Sequence, residues 1–281
     1  MKRHLIQLTA LFVLILSVMS CGKLGKSKGL PNDGQVHGVA PAAKPGLTRP
    51  IGMVFVPPGT FHMGPSDEDV SYALTARNKQ VSIQGFWMDA TEITNNQYRQ
   101  YVFWVRDSIA AKILGYVKNV DGIDYIDWAK AKTIKWGDKA TIEKLDPMII
   151  PPPDRIYGKK EIDPEKIEYQ VEYFDLKEAA KRENKGKPRS TFLVKYKEKA
   201  YPDTLVWMRD FSYSYNEPMT KKYFSHFAFG NYPVVGVTWK QATAFANWRS
   251  TYLNTWLDSK KKGTESDFRL PTEAQWEYAA R

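Results

Sequence analysis

The sequence predicts a mixed α+β domain with much irregular structure between its elements. Three observations carry that prediction. Apolar residues alternate with period two over residues 53–63 and 80–88, which is the strand signature. Three Thr-x-x-Gln boxes, at Thr94–Gln97, Thr238–Gln241 and Thr272–Gln275, each open a helical apolar pattern. Aromatic residues make up 14% of the 281 positions, which suits an irregular core whose polar ring tips need hydrogen-bond partners.

The chain opens with a leader, residues 1–20. Lys2 and Arg3 precede an apolar run from Leu8 to Met19, which has the length of a secretory signal and is short for a membrane span. Ser20 then stands directly before Cys21. Val18-Met19-Ser20-Cys21 resembles a lipobox, so Cys21 is the expected lipid-attachment residue after cleavage. Several acyl chains, each burying methylenes at ~0.8 kcal/mol, would hold tightly. No Asp follows Cys21 and no acidic cluster comes after it, which favours the periplasmic face of the outer membrane. Residues 21–50 are rich in Gly, Pro and Lys and read as a flexible tether, with Lys23, Lys26 and Lys28 able to rest on lipid headgroups.

The body begins at residue 51. Met53–Val56 and Thr60–Met63 flank Pro57-Pro58-Gly59 and read as a β-hairpin with a Pro-Gly turn. His62 alternates with Phe61 and Met63 and is expected to point away from the core. Gln80–Met88 reads as one strand. After the first box, Tyr98, Tyr101, Val102 and Val105 lie on one face of a helix. The second box precedes Ala242, Phe245, Ala246 and Trp248, and the third precedes Trp276, Ala279 and Ala280.

Residues 107–231 differ in composition and read as an insert. Ile149-Ile150-Pro-Pro-Pro153 predicts a stiff extended segment, Lys177–Arg182 a short exposed helix, and Thr204–Arg209 a strand. Tyr213, Tyr215, Tyr223, Phe224, Phe227 and Phe229 make an aromatic stretch that serves either core packing or a partner surface. Trp207 is assigned to the core or to an interface.

The formal net charge is +10, which suits plain solubility or a surface drawn to anionic lipid. Nucleic acid is not an expected partner of a chain addressed out of the cytoplasm. Cys21 is the one cysteine, so neither a disulfide nor a Cys-x-x-Cys zinc site forms within the chain. His4 lies in the leader and His37 in the tether, which leaves His62 and His226 for the body; both read as ordinary packed or solvated side chains. Asp67, Glu68 and Asp69 read as a solvated turn and not as a calcium loop.

Four segments together carry a resemblance: Met53–Gly64, Phe86–Tyr98, Tyr232–Trp239 with Ala242–Trp248, and Phe268–Arg281. They resemble the formylglycine-generating-enzyme, or sulfatase-modifying-factor, domain. The resemblance implies a fold related to C-type lectins. It also implies, for the enzymes, a pair of cysteines that bind copper and activate oxygen, downstream of the segment like Arg269–Arg281. Where many family members have Cys in the helix after Thr238, this chain has Ala246. A soft copper site needs thiolates. No catalytic, cofactor-binding or metal-binding residue is therefore assigned. Arg281 closes a capped helix without a stop signal, which predicts a fragment of a longer protein, with residues 51–281 the N-terminal part of the domain.

Within that family, the leader, the insert and especially Tyr201–Met219 are similar to the GldK/PorK lipoproteins of gliding motility and type IX secretion in Bacteroidetes. That similarity implies a non-catalytic outer-membrane lipoprotein facing the periplasm. It implies self-association in a ring, a GldN/PorN-like periplasmic partner, and contact with outer-membrane lipid through acylated Cys21. GldJ shares the domain. The alternative expectation is a sulfatase-modifying-factor-like oxidoreductase acting on cysteine, with its cysteines further along a longer gene.

Overall fold

A computed structural model of the chain describes residues 50–65, 78–120, 122–210, 213 and 222–281. The expectations for the leader, for Cys21, for the tether and for Asp67–Asp69 fall outside these residues. Within them the fold is α+β, built from two-stranded ladders and irregular turns packed on helices.

Strand β1 (Met53–Val56) pairs antiparallel with β4 (Phe86–Asp89), and β2 (Gly59–Met63) pairs antiparallel with β3 (Lys79–Ile83). Val56 faces Phe86 and Gly59 faces Ile83, so one register runs through both ladders. They are a single ribbon with a break in the middle. Pro57 and Pro58 fall in that break, where a missing N–H interrupts the ladder. This corrects the expected hairpin. The Pro-Pro-Gly stretch does not fold β2 back onto β1; it carries the chain onward, and both arms pair with the returning segment. The expected strand Gln80–Met88 is likewise divided, at Gln84-Gly85. A Cβ on Gly85 would lie 2.8 Å from the Phe55 ring, so a side chain does not fit where the arms meet.

Helix α1 (Asn95–Ile113) starts where the first box predicts. The Gln97 N–H donates to the Thr94 hydroxyl at 3.3 Å, and the Thr94 N–H donates to the Gln97 side chain at 2.9 Å. The predicted face, Tyr98, Tyr101, Val102 and Val105, is fully buried. Each such side chain contributes ~1.5–3 kcal/mol when removed from water. Helix α6 (Trp239–Ser259) and helix α7 (Glu273–Ala280) have the same reciprocal cap at Thr238 and Thr272. In α6 the buried stripe is Ala244, Phe245, Ala246 and Trp248, with Ala242 half-buried. In α7 the expected apolar face is not a core face, since Trp276 and Ala280 are exposed. Tyr278 and Glu277 make its contacts instead.

The region between α1 and α6 holds two further hairpins: β5 (Val117–Val120) with β6 (Ile123–Ile126), and β7 (Glu168–Phe174) with β8 (Leu193–Lys199). Short helices α2 (Trp128–Ala131), α3 (Lys139–Lys144), α4 (Leu176–Ala179) and α5 (Val206–Asp210) punctuate it. Helix α4 overlaps the expected exposed helix, starting one residue before Lys177 and ending at Ala179, short of Arg182; it is capped by Asp175, which accepts from the Glu178 N–H at 3.0 Å. Helix α5 replaces the strand expected at Thr204–Arg209. There the Asp203 carboxylate accepts from the Leu205 N–H at 2.9 Å, a side-chain-to-backbone bond that starts a helix. The triple proline is extended at Pro151, then turns through a short 3-10 stretch at Pro152–Asp154.

The core lies between α1, the β7–β8 hairpin and α6. Ile167, Tyr169, Val171 and Ala200 from the hairpin pack on Tyr98, Tyr101, Val102 and Val105 from α1 and on Ala244, Phe245 and Trp248 from α6, with Phe224 completing it. Of the aromatic stretch, Tyr223 and Phe224 are core, whereas Tyr213 and Phe227 are exposed. Trp207 packs against Tyr223 with ring centroids 5.4 Å apart.

Candidate functional site

The four resemblance segments converge on α6 and α7. The segment before α1 is tied to the one before α6: the Asn95 N–H donates to the Tyr232 carbonyl at 2.9 Å, and the Val234 N–H donates to the Ile93 carbonyl at 2.9 Å. The end of the ribbon is tied to α6. Arg249 donates from both terminal nitrogens to Asp89, at 2.7 and 2.9 Å, and its guanidinium lies 4.2 Å from the centre of the Phe268 ring. A bidentate pair of this kind fixes direction as well as distance. At the next residue, the Ser250 hydroxyl donates to the Ala246 carbonyl at 3.0 Å and accepts from the Phe268 N–H at 2.8 Å. The approach to α7 is therefore pinned to α6 at Phe268 by a stacked cation and a hydroxyl bridge.

Helix α7 then meets the far arm of the ribbon. The Gly64 N–H donates to Glu277 at 3.1 Å, Arg281 donates to the Gly64 carbonyl at 3.0 Å, and Phe61 packs on Tyr278 with ring centroids 5.3 Å apart. Gly59 lies under the Tyr278 hydroxyl, where a Cβ would come within 2.2 Å.

Ala246, the position where the resemblance leads one to look for a thiol, is buried on the inner stripe of α6. Its neighbours along α6 are Arg249, ion-paired with Asp89, Ser250, whose hydroxyl donates to the Ala246 carbonyl, and the aromatic Phe245 and Trp248. These groups hold and orient; none is a nucleophile set beside a base. The chain carries one cysteine, Cys21, and so lacks the cysteine pair that family chemistry uses. Among the described residues no cluster of three His, Cys, Asp or Glu side chains is placed to hold a metal ion. The donor set present here does not fit a thiolate copper centre. His62 is exposed on β2 as expected. The exposed His226 accepts from the Ala228 N–H through Nδ1 at 3.2 Å and stacks on Phe227.

The electrostatic signature of the core is a cluster of tyrosines. The hydroxyls of Tyr98 and Tyr101 are buried and make no hydrogen bond among the described residues. Burial, reinforced by the Glu198 carboxylate, holds the Tyr98 phenol well above its ordinary range. Burial raises Tyr101 further, with Tyr98 and Tyr169 adding to it. Tyr169 is pushed up to about 12, again by burial, with the Thr251 side chain acting in the opposite direction; its hydroxyl donates to Asn247 at 3.0 Å.

The Asp89–Arg249 pair was missed in the sequence because its partners stand 160 positions apart and neither belongs to a local pattern. The only sequence signal was the proximity of each to a segment of the resemblance.

Comparison with known proteins names the family. Residues 40–281 match the family model of the Sulfatase-modifying factor enzyme 1-like domain. The formylglycine-generating enzyme of Mus musculus is 24% identical over 267 residues, covering 90% of this chain and 50% of the relative. That of Bos taurus is 23% identical over 244 residues, covering 86% of this chain and 43% of the relative. That of Streptomyces coelicolor is 45% identical over 51 residues, 18% of this chain and 11% of the relative. The chain thus spans about half the length of the two mammalian relatives. The expectation of a purely structural, non-catalytic ring protein does not stand, since the family and the relatives that match are those of a catalytic enzyme. The chain belongs to the sulfatase-modifying-factor family.

Proposed function

We propose that this chain is the N-terminal scaffold of a sulfatase-modifying-factor-like oxidoreductase that acts on cysteine, its redox thiols being supplied by residues outside this sequence. The observation that carries the reading is the family match over residues 40–281, together with relatives named as formylglycine-generating enzymes that align over most of the chain. The geometry supports it. The ribbon, α6 and α7 are tied together by Asp89–Arg249, Ser250 and Glu277, which suits a platform. A platform holds a reacting thiol in place without supplying one. The test is to sequence and express the reading frame beyond Arg281. Copper-dependent oxidation of a cysteine-containing peptide is expected from the extended protein and none from residues 21–281 alone. A continuing frame without a cysteine pair, or an extended protein that leaves the peptide thiol unchanged, would sink the proposal.

Within the family, the finer placement we propose is the branch of GldK/PorK-type lipoproteins. The sequence supports it through the lipobox-like Val18–Cys21 and the segment Tyr201–Met219. On this reading, residues 1–20 are removed, acylated Cys21 holds the chain to outer-membrane lipid facing the periplasm, residues 21–50 are the tether, and a GldN/PorN-like protein is the partner. Labelling with a palmitate analogue should mark the native chain and not the Cys21→Ala variant; equal labelling of both removes the anchor.

A further inference from the structure

The β7–β8 hairpin leaves the core before it ends. On its inward face Tyr169 is 9% exposed and Val171 1%, but Tyr173 is 46% exposed. The ladder continues to Phe174 paired with Leu193, and the Asp175 N–H still donates to the Phe192 carbonyl at 2.9 Å, so the projecting end is ordered by its own hydrogen bonds. That end has two properties at once. It is apolar, with Leu176 73% exposed beside the partly exposed Phe174 and Leu193. It is also basic. The connection 175–192 carries Lys177, Lys181, Arg182, Lys185, Lys187 and Arg189 against Asp175, Glu178 and Glu183. Two of the acids are engaged, Asp175 in capping α4 and Glu178 with Lys181 at 2.6 Å. Among the described residues Arg182, Lys185, Lys187 and Arg189 pair with no carboxylate; Lys187 donates to Asn184 at 2.7 Å.

We propose that this tip is a membrane-docking surface for anionic phospholipid, with the Phe174–Leu176–Leu193 cap entering the headgroup layer and the basic side chains resting on lipid phosphates. A leucine held in water next to unpaired cations is the pattern of an interfacial anchor: buried apolar area and attraction to anionic lipid add. A polynucleotide would be met by the same cations, but its bases stack on aromatic faces and would gain nothing from Leu176, the most exposed apolar side chain of the cap. The inference does not depend on the proposed redox chemistry. The expected acylation of Cys21 arises from a distant stretch of sequence and points to the same surface.

The experiment uses residues 21–281 carrying Cys21→Ser, the proposed mature chain, so that neither an acyl chain nor the apolar leader is present. Co-sedimentation is measured on phosphatidylglycerol-containing vesicles and on purely zwitterionic ones. The comparison is with the same chain bearing Arg182→Gln, Lys185→Gln, Lys187→Gln and Arg189→Gln, and separately Leu176→Ser. On anionic vesicles the fourfold variant is expected to bind more weakly by about a hundredfold or more, at roughly fivefold per charge removed from the surface. Leu176→Ser is expected to weaken binding several-fold. On zwitterionic vesicles the fourfold variant and its parent should coincide. The parent's excess affinity for anionic vesicles should also fall as salt is raised, a readout that needs no hairpin variant. Less than a tenfold difference on anionic vesicles overturns the proposal. So does an affinity indifferent to salt, or retention of the protein on RNA or an acidic protein with vesicles ignored.

Discussion

Among the described residues are two long antiparallel ribbons, and they are held to the helices by different means. The 53–89 ribbon is interrupted at Pro57-Pro58, is half-exposed along its length, and is fixed at points: Asp89 to Arg249 at one end, Gly64 to Glu277 and Arg281 at the other. The β7–β8 hairpin is an unbroken seven-pair ladder whose inner face sinks into α1 and α6. Helix α6 also stitches its edges, with Gln241 donating to the Lys199 and Tyr201 carbonyls and Asn247 to the Glu172 carbonyl. An uninterrupted ladder with a buried face is held to the helices by packing and by bonds to its backbone; the ion pairs Lys195–Glu172 and Lys197–Glu168 join only its own two strands. A broken ribbon with little cover is held to the helices by ionic pins. The segment that reads as a family-specific insert thus supplies part of the central core, whereas the segment nearest the family pattern hangs on side-chain contacts.

That contrast predicts a graded series of effects. The largest should come from the buried interface: Tyr101→Ala is expected to cost ~3–5 kcal/mol in urea unfolding, because the ring contacts Tyr98, Tyr169, Phe245 and Trp248. A cost below ~1 kcal/mol would mean that the hairpin is not part of the core. Next is Arg249→Ala, expected to cost ~2 kcal/mol by leaving Asp89 without its bidentate partner. In a double-mutant cycle with Asp89→Asn most of that loss should be shared; full additivity would show the pin to be idle. Thr272→Ala removes the α7 cap and should cost ~1 kcal/mol, with faster hydrogen exchange in α7 and none of that change in β7–β8. The smallest effect is expected from Tyr98→Phe. Its hydroxyl is buried without a partner among the described residues, so the variant should be neutral or slightly more stable.

Alkaline pH separates the two ribbons as well. The phenols of Tyr98, Tyr101 and Tyr169 are all raised in the folded state by burial. A raised folded value contributes stability that is complete below the unfolded value near 10 and is lost as pH climbs above it. The hairpin core should therefore loosen between about pH 10 and 12, reported by tyrosinate absorbance and melting temperature, and Tyr169→Phe should blunt the loss. Unchanged alkaline melting in that variant would place the titration elsewhere.

What could be read from the sequence was what is local. The three boxes announced α1, α6 and α7 because a cap is a contact between residues three apart, and the i, i+3, i+4 rows named the buried face of α1 correctly. Pairing was misread because it is a long-range property: nothing within residues 53–63 says that both arms face 79–89. Thr204–Arg209 looked like a strand on its Leu-Val-Trp composition, and the bond from Asp203 that makes it helical was the weaker signal. At the candidate site, Ala246 was legible as a missing thiol. The Asp89–Arg249 pin was not, because an ion pair across most of the chain leaves no spacing to recognise.

The unbroken register of the 53–89 ribbon makes it a counting device. One residue added at Pro57-Pro58, without a matching one at Gln84-Gly85, would put the second arm out of phase with the first and turn Phe61 from Tyr278 to the opposite side. Matched additions on both arms would restore the phase, so the middle of this ribbon accepts changes of length only in pairs, one on each arm.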